Sequence, residues 1–254
     1  MLGAIYGDKA GSIYEFNQTK KIESINPKKI IQSNSFYSDD TIETIAVIDA
    51  IINNKNYEDT LKKYILDNIQ YRPNFNPYFK TSFSPRTIKW AKGIGRCDSI
   101  GNGAMMRISP VGYLFNSESD VIENARLVTI TSHNSKEAIE SATIIALMIY
   151  YFRNGLTKDE VFRKLNLLVK YKPFVKFNTT CKETLGNCLY VIYNSNSFED
   201  AIRKTLLMGG DTDTNCSIVG GVVESIYKMS DKEKEDAISG LPNEYAKILK
   251  RVYK

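Results

Sequence analysis

The chain has 254 residues, 43% of them hydrophobic and 25% charged, which is the balance of a folded globular protein long enough to bury a substantial core and argues against disorder. Lysine and arginine outnumber aspartate and glutamate by 34 to 29, and most of the +5 lies in scattered lysines and in the tail Lys247, Lys250, Arg251, Lys254. So mild a surplus favours anionic ligands such as phosphates but lacks the clustered basic stripe of a nucleic-acid binder, and nucleic acid is not expected as the primary partner.

In chain order, Met1 to Asp8 is too short an apolar run for a secretory signal. Ser38-Asp39-Asp40-Thr41 stands immediately before a periodic stretch at Ile42, Ile45, Ala46 and Ile48, which places an acidic cluster at a helix N-terminus, with Asp40 and Glu43 spaced as a capping box. Helices are expected over 57–69 and 119–130. Between them, residues 71–104 read as irregular, with Pro73, Pro77, Pro85 and four glycines from Gly93 onward. A stretch of that length inside a domain is usually functional, and 71–98 is where substrate specificity is expected.

Asn134, with Glu137 three residues on, opens a helix through Ala138, Ile139, Ala142, Ile145, Ala146 and Ile149, and Gly155 is its stop. Thr157/Glu160 and Ser230/Glu233 are spaced as capping boxes. Ser197 caps 198–208, whose stripe is Phe198, Ala201, Ile202, Thr205 and Leu206. Asp211-Thr212-Asp213-Thr214 precedes a further apolar run at Ile218, Val219, Val222, Val223 and Ile226, with Asp213 or Thr214 available as its cap. The last helix spans 243–252 with Pro242 at its head. No series of alternating apolar segments marks strands. The expectation is an all-α helical bundle, one domain over 1–254.

Four cysteines (97, 181, 188, 216) without a C-x-x-C pair, and the single His133, cannot build a zinc ribbon or a three-histidine zinc site. The longest apolar run, Ile144 to Phe152, falls short of the ~18–20 residues of a membrane span. A soluble, cytoplasmic protein with unpaired thiols is expected.

Capping explains one acidic residue at each cluster. It does not explain two carboxylates plus hydroxyls at both, because adjacent like charges repel unless something compensates them. Such hard oxygen donors suit magnesium, manganese or calcium rather than zinc, so a metal site and a pair of solvated caps are both open on spacing alone. A calcium EF-hand starting at Asp211 fails at Cys216, where glycine is needed, and at Val222, where a bidentate glutamate is needed.

Four segments, in order, resemble the ADP-ribosylglycohydrolases: Gly7-Asp8-Lys-Ala-Gly11-Ser-Ile-Tyr-Glu15, Ser38-Asp39-Asp40-Thr41, Gly101-Asn102-Gly103-Ala-Met-Met106-Arg107-Ile-Ser-Pro110, and Gly209-Gly210-Asp211-Thr-Asp213-Thr214; Thr131-Ser-His133-Asn is a shorter fifth. The resemblance implies a compact orthogonal helical bundle around two divalent cations, Mg²⁺ or Mn²⁺, held by Ser38, Asp39, Asp40, Asp211, Asp213 and Thr214. Ser38 stands where the family more usually has threonine. It further implies release of ADP-ribose from an ADP-ribosylated protein or peptide, by hydrolysis at the anomeric carbon of the distal ribose. Glu15, seven residues after Asp8, falls at the glutamate of the serine-directed branch and is the candidate catalytic carboxylate. Ser99, Gly101, Asn102, Gly103, Met105 and His133 match the diphosphate and ribose cradle, where glycines admit a close anion and Asn102 adds a donor. Ile100 departs from the aromatic that some relatives place there against adenine. Asp8 itself reads as a cap or a support behind the ligands, and Gly220 and Gly221 as close-packing positions.

Overall fold

The computed structural model describes residues 1–15, 29–71, 82–167, 169 and 177–253. These form α1 (Leu2–Gly11), α2 (Asp39–Ile52), α3 (Tyr57–Asp67), α4 (Pro85–Ala91), α5 (Gly103–Met106), α6 (Ser109–Leu114), α7 (Glu118–Ile130), α8 (Lys136–Arg153), α9 (Lys158–Lys164), α10 (Cys181–Asn194), α11 (Phe198–Met208), α12 (Thr212–Val223), α13 (Asp231–Ile238) and α14 (Asn243–Val252). Among the described residues there are no strands, only the isolated bridges Asp98–His133 and Gly101–Thr180. No described helix is long and apolar enough to cross a membrane.

Short polar side chains start most of these helices by accepting a first-turn amide, as the sequence leads one to expect. Thr157 with Glu160 and Ser230 with Glu233 form complete capping boxes, and Ser197 caps α11. Three expected starts are corrected. The cap of α8 is Ser135, not Asn134, and it accepts from the Ala138 amide. The cap of α2 is Ser38, accepting from the Asp40 amide, while Glu43 turns to Arg107 instead of closing a box. Helix α12 begins at Thr212 with Asp211 before it, so neither Asp213 nor Thr214 is its cap. The irregular reading of 71–104 also gives way in part: Ser84 and Pro85 start α4, and α5 follows Asn102. Residues 72–81 of that stretch, with Pro73 and Pro77, lie outside the described residues.

The centre of the molecule is an antiparallel pair, α1 and α12, in which every residue of both helices is buried. Gly3, Gly7 and Gly11 recur at four-residue spacing and form one stripe of α1. A β-carbon on them would stand 2.3 Å from the Gly220 carbonyl oxygen, 2.0 Å from that of Cys216 and 2.2 Å from that of Thr212. The two backbones touch, and only hydrogen on α1 permits it. Gly220 has the packing role its position suggested, facing Gly3 in turn. Because the register is antiparallel, the C-terminal end of α1 meets the N-terminal end of α12, where the Thr212 hydroxyl donates to the Gly11 carbonyl at 2.8 Å. Helix α8 packs Ala138, Ala142, Ile145, Ala146 and Ile149 into the core beside this pair. Tyr151 is core as well, consistent with a packing role for the tyrosines.

Candidate functional site

The α1–α12 contact sets the chemistry, because it carries two acidic ends to one point. Asp8, near the end of α1, is fully buried and spends its carboxylate on the start of α2. It accepts from the Ser38 amide (2.8 Å), the Ser38 hydroxyl (2.8 Å), the Thr41 amide (3.1 Å) and the Thr41 hydroxyl (2.5 Å). Asp8 thus caps α2 from a distant part of the chain and fixes where Asp39 and Asp40 stand. These bonds fit the cap or support reading of Asp8, and the same carboxylate also stands among the clustered acidic oxygens.

Across this junction the Thr214 hydroxyl donates to Asp40 Oδ2 at 3.3 Å, so the two acidic clusters meet. Carboxylate oxygens of Asp8, Asp40 and Asp213 lie within 4.8 Å of one another, and so do those of Glu15, Asp211 and Asp213. Asp213 belongs to both groups. Among the described residues no lysine or arginine forms an ion pair with Asp8, Asp39, Asp40, Asp211 or Asp213; the nearby Arg107 is taken by Glu43. Burial, followed by mutual repulsion, therefore drives the carboxyls of Asp39, Asp40 and Asp213 well above the ordinary range. Asp211 is raised to about 6, restrained by hydrogen bonds from Asp213 and Asn102. Glu15 is raised to about 9 by burial and then by Asp213 and Asp8. Asp40 Oδ1 is buried and meets no hydrogen-bond donor. An all-oxygen set with an orphaned buried carboxylate oxygen and uncompensated charge fits hard divalent cations.

The acidic groups form the floor of a cavity of about 620 Å³, within the roughly 300–1,000 Å³ of small-ligand sites. Glu15, Asp39, Asp211, Asp213 and Thr214 line it. Ser38 and Asp40 sit behind, wholly buried, and Asp39, although it lines the cavity, belongs to neither carboxylate group. One wall is formed by Ser99, Gly101, Asn102 and Gly103, in a segment pinned on both sides. The Ser99 amide donates to the Ser132 carbonyl at 3.4 Å, the Asn102 amide to the Thr179 carbonyl at 2.7 Å and the Cys181 amide to the Ile100 carbonyl at 2.9 Å. Ser99, Gly101, Asn102, Gly103 and His133 all line the cavity. The Ser99 hydroxyl accepts from the Gly101 amide at 3.1 Å, which leaves its own proton to donate. A β-carbon on Gly103 would come 3.2 Å from His133 Nε2 and 3.3 Å from Cε1, so the glycine lets the backbone approach this edge of the imidazole closely.

Two cradle assignments change. Asn102 does not aim its amide at a ligand; Nδ2 donates to Asp211 Oδ2 at 2.6 Å and to Thr184 Oγ1 at 3.3 Å, so it orients a floor carboxylate. Met105 is 1% exposed, part of the core and absent from the lining, where Met106 stands instead. Ile100 is half exposed, likewise off the lining, and the aromatic surface comes from Phe83, Trp90 and Phe177. Sequence reasoning missed these rings, and it missed the buried Arg107–Glu43 pair at 2.6 Å, both of whose members border the cavity. The one signal for that pair was Glu43 lying one turn after Asp39 and Asp40. Its partner is 64 residues away.

Among known proteins, a family model described as ADP-ribosylglycohydrolase matches residues 1–245. Mouse (Mus musculus) ADP-ribosylhydrolase ARH3 is 23% identical over 189 residues, covering 64% of this chain and 50% of its own length. The human (Homo sapiens) ARH3 is 24% identical over 191 residues, 65% and 52%. ADP-ribosylarginine hydrolase Tri1 of Pseudomonas putida (strain GB-1) is 23% identical over 163 residues, 58% and 41%. The chain thus spans about half the length of these curated relatives. A solved structure described as an ADP-ribosylglycohydrolase-related protein complex superposes with a TM-score of 0.68 at 18% identity, over all of this chain and 97% of that one, which shows a common fold. With the family model spanning nearly every residue and the acidic ends of α1, α2 and α12 gathered beneath one cavity, the chain belongs to the ADP-ribosylglycohydrolase family.

Proposed function

We propose that this protein is a hydrolase that releases ADP-ribose from a modified protein or peptide by cleaving the bond at the anomeric carbon of the distal ribose, with O-linked substrates favoured over arginine N-linked ones. The observation that carries the reading is the pair of carboxylate groups sharing Asp213 beneath the cavity. Asp8, Asp40 and Asp213 would hold one Mg²⁺ or Mn²⁺, and Glu15, Asp211 and Asp213 a second, with Asp39, Thr214 and the Ser38 hydroxyl completing the oxygen set. Bound there, the cations supply positive charge at the reacting end of the substrate and keep the surrounding carboxyls ionised.

The chain's own groups do the rest. Glu15, ionised, takes a proton from the attacking water at a carboxylate oxygen while the bond from the anomeric carbon to the leaving oxygen breaks; the proton held on Glu15 is then passed on to the leaving oxygen, and the sugar passes through oxocarbenium character. Asn102 holds Asp211 in place. The glycine wall with Ser99 and His133 faces the diphosphate, and Phe177, 40% exposed on the lining, offers the aromatic face that Ile100 does not. The preference for an O-linked leaving group rests on Glu15, which stands where the serine-directed branch has its glutamate. Free thiols at all four cysteines support a reducing, cytoplasmic setting.

The test is a release assay on O-linked, arginine-linked and nucleic-acid-linked ADP-ribose, with and without Mg²⁺, for the wild type and Glu15→Gln. Release from the O-linked substrate, dependent on Mg²⁺ and reduced ~10²–10⁴-fold in Glu15→Gln with ADP-ribose still bound, is the expected outcome. ADP-ribose binding without release from any substrate would instead make the protein a binding module.

A further inference from the structure

His133 is the sole histidine of the chain, and its two ring nitrogens have different neighbours. Nε2 lies over the glycine wall, close to where β-carbons on Gly103 (3.2 Å) and Gly101 (3.7 Å) would be. Nδ1 lies 2.7 Å from the Ser132 hydroxyl oxygen. That same oxygen is 2.7 Å from Arg107 Nη2. A guanidinium has donors only, so Ser132 Oγ accepts from Arg107. The hydroxyl has a single proton, and among the described residues the one remaining partner of that oxygen is His133 Nδ1. Were Nδ1 to carry a hydrogen, two donors would point at one oxygen and the serine proton would face nothing there. The arrangement that gives every hydrogen an acceptor sends the serine proton to Nδ1 and leaves that nitrogen bare.

We propose that Glu43, Arg107 and Ser132 form a positioning relay that holds His133 as its neutral tautomer with hydrogen on Nε2, aimed across Gly101 and Gly103 as a donor to an anionic phosphate oxygen. The tautomer follows from the hydrogen-bond geometry alone; naming the ligand a diphosphate rests on the function proposed above. Arg107 is kept in register by Glu43, whose carboxylate accepts from Nη1 at 2.6 Å with both side chains buried, and by weaker contacts from Nη2 to the Val128 carbonyl (3.4 Å) and Thr131 Oγ1 (3.5 Å). Glu43 is on α2, whose first turn carries Asp39 and Asp40, so one helix anchors both the acidic floor and the orientation of the wall's donor. Burial, and after it the charges of Arg107 and Arg86, keeps the ring neutral at ordinary pH. The opposite tautomer would turn a lone pair toward the anion and repel it.

Because there is one imidazole, the tautomer can be read directly from long-range ¹H–¹⁵N correlations of the ¹⁵N-labelled, ligand-free protein. Wild type is expected to show Nδ1 as the unprotonated and Nε2 as the protonated nitrogen. Ser132→Ala is expected to give a mixture, and Ser132→Thr, which keeps the hydroxyl, to restore the single form. Inorganic diphosphate is the probe of the donor role: it should shift the Nε2–H signal in wild type. In Ser132→Ala its affinity should fall at least by the lost fraction of competent tautomer, about twofold if the two are equally populated. A wild-type protein protonated on Nδ1, a Ser132→Ala spectrum identical to wild type, or an Nε2–H signal unmoved by saturating diphosphate would each overturn the proposal. None of these readouts needs turnover, so a failed release assay would remove the hydrolase reading and leave the relay to stand or fall on the spectra.

Discussion

Asp213 is the member common to both carboxylate groups, and Asp213→Asn separates a shared binuclear site from two independent ones. A cation at 100 times its dissociation constant stabilises by about 2.7 kcal/mol per site, so two occupied sites contribute about 5 kcal/mol, or a rise in Tm of about 10–20 °C for a domain of this size. Asp213→Asn weakens both groups at once and should abolish nearly all of that rise, whereas Glu15→Gln touches one group and should leave about half. The pH dependence has a definite sign. Glu15 has a pKa of about 9 in the folded, metal-free chain against 4.5 for an unperturbed glutamate. Between those values the folded form binds the proton that the unfolded chain has lost, and metal-free stability falls as pH rises through that window. Protons and cations compete for the same oxygens, so the Mg²⁺-induced rise should be larger at pH 8 than at pH 6. The assay is thermal denaturation in chelator and in graded MgCl₂ or MnCl₂ at both pH values. A full cation-induced rise in Asp213→Asn, or a rise that shrinks with pH, would refute the shared-site geometry.

Two further outcomes follow from single contacts. Gly7→Ala places a β-carbon 2.0 Å from the Cys216 carbonyl oxygen and must push α1 and α12 apart, at a cost of about 3 kcal/mol or more. Urea denaturation measures it against Gly186→Ala, which meets nothing within 4 Å in α10 and should be neutral or gain up to about 1 kcal/mol; equal effects from the two would contradict the backbone contact. Asn102→Ala removes the donor 2.6 Å from Asp211 Oδ2, so calorimetry should show cation affinity reduced about 10–100-fold while the fold survives, and unchanged affinity would mean Asp211 is oriented by other means.

Much of the molecule was legible in its sequence because surface helices carry their own punctuation. Thr157, Ser197 and Ser230 satisfy amides within their own first turn, a local matter of one side chain and three residues. The acidic clusters were legible for a related reason: like charges side by side demand compensation wherever they are placed. The ordered motifs named the family. Local pattern failed where burial is complete. Helix α1 has no polar face, so it shows no amphipathic period and was not anticipated.

Which groups meet was decided only in three dimensions. Asp8 caps a helix that starts 31 residues later in the chain, as Asp39, and Arg107 pairs with Glu43 across 64. Asn102, read as a ligand donor, turns to Asp211 109 residues on, and Met105 rotates into the core while its neighbour faces the cavity. The sequence by itself determined that carboxylates stand in two acidic turns and that glycines recur at 3, 7 and 11. That the two turns meet, with Asp213 common to both carboxylate groups, was decided by an antiparallel backbone contact whose register depends on three absent side chains, at Gly3, Gly7 and Gly11, and no local rule specifies the partner that fills the space they leave.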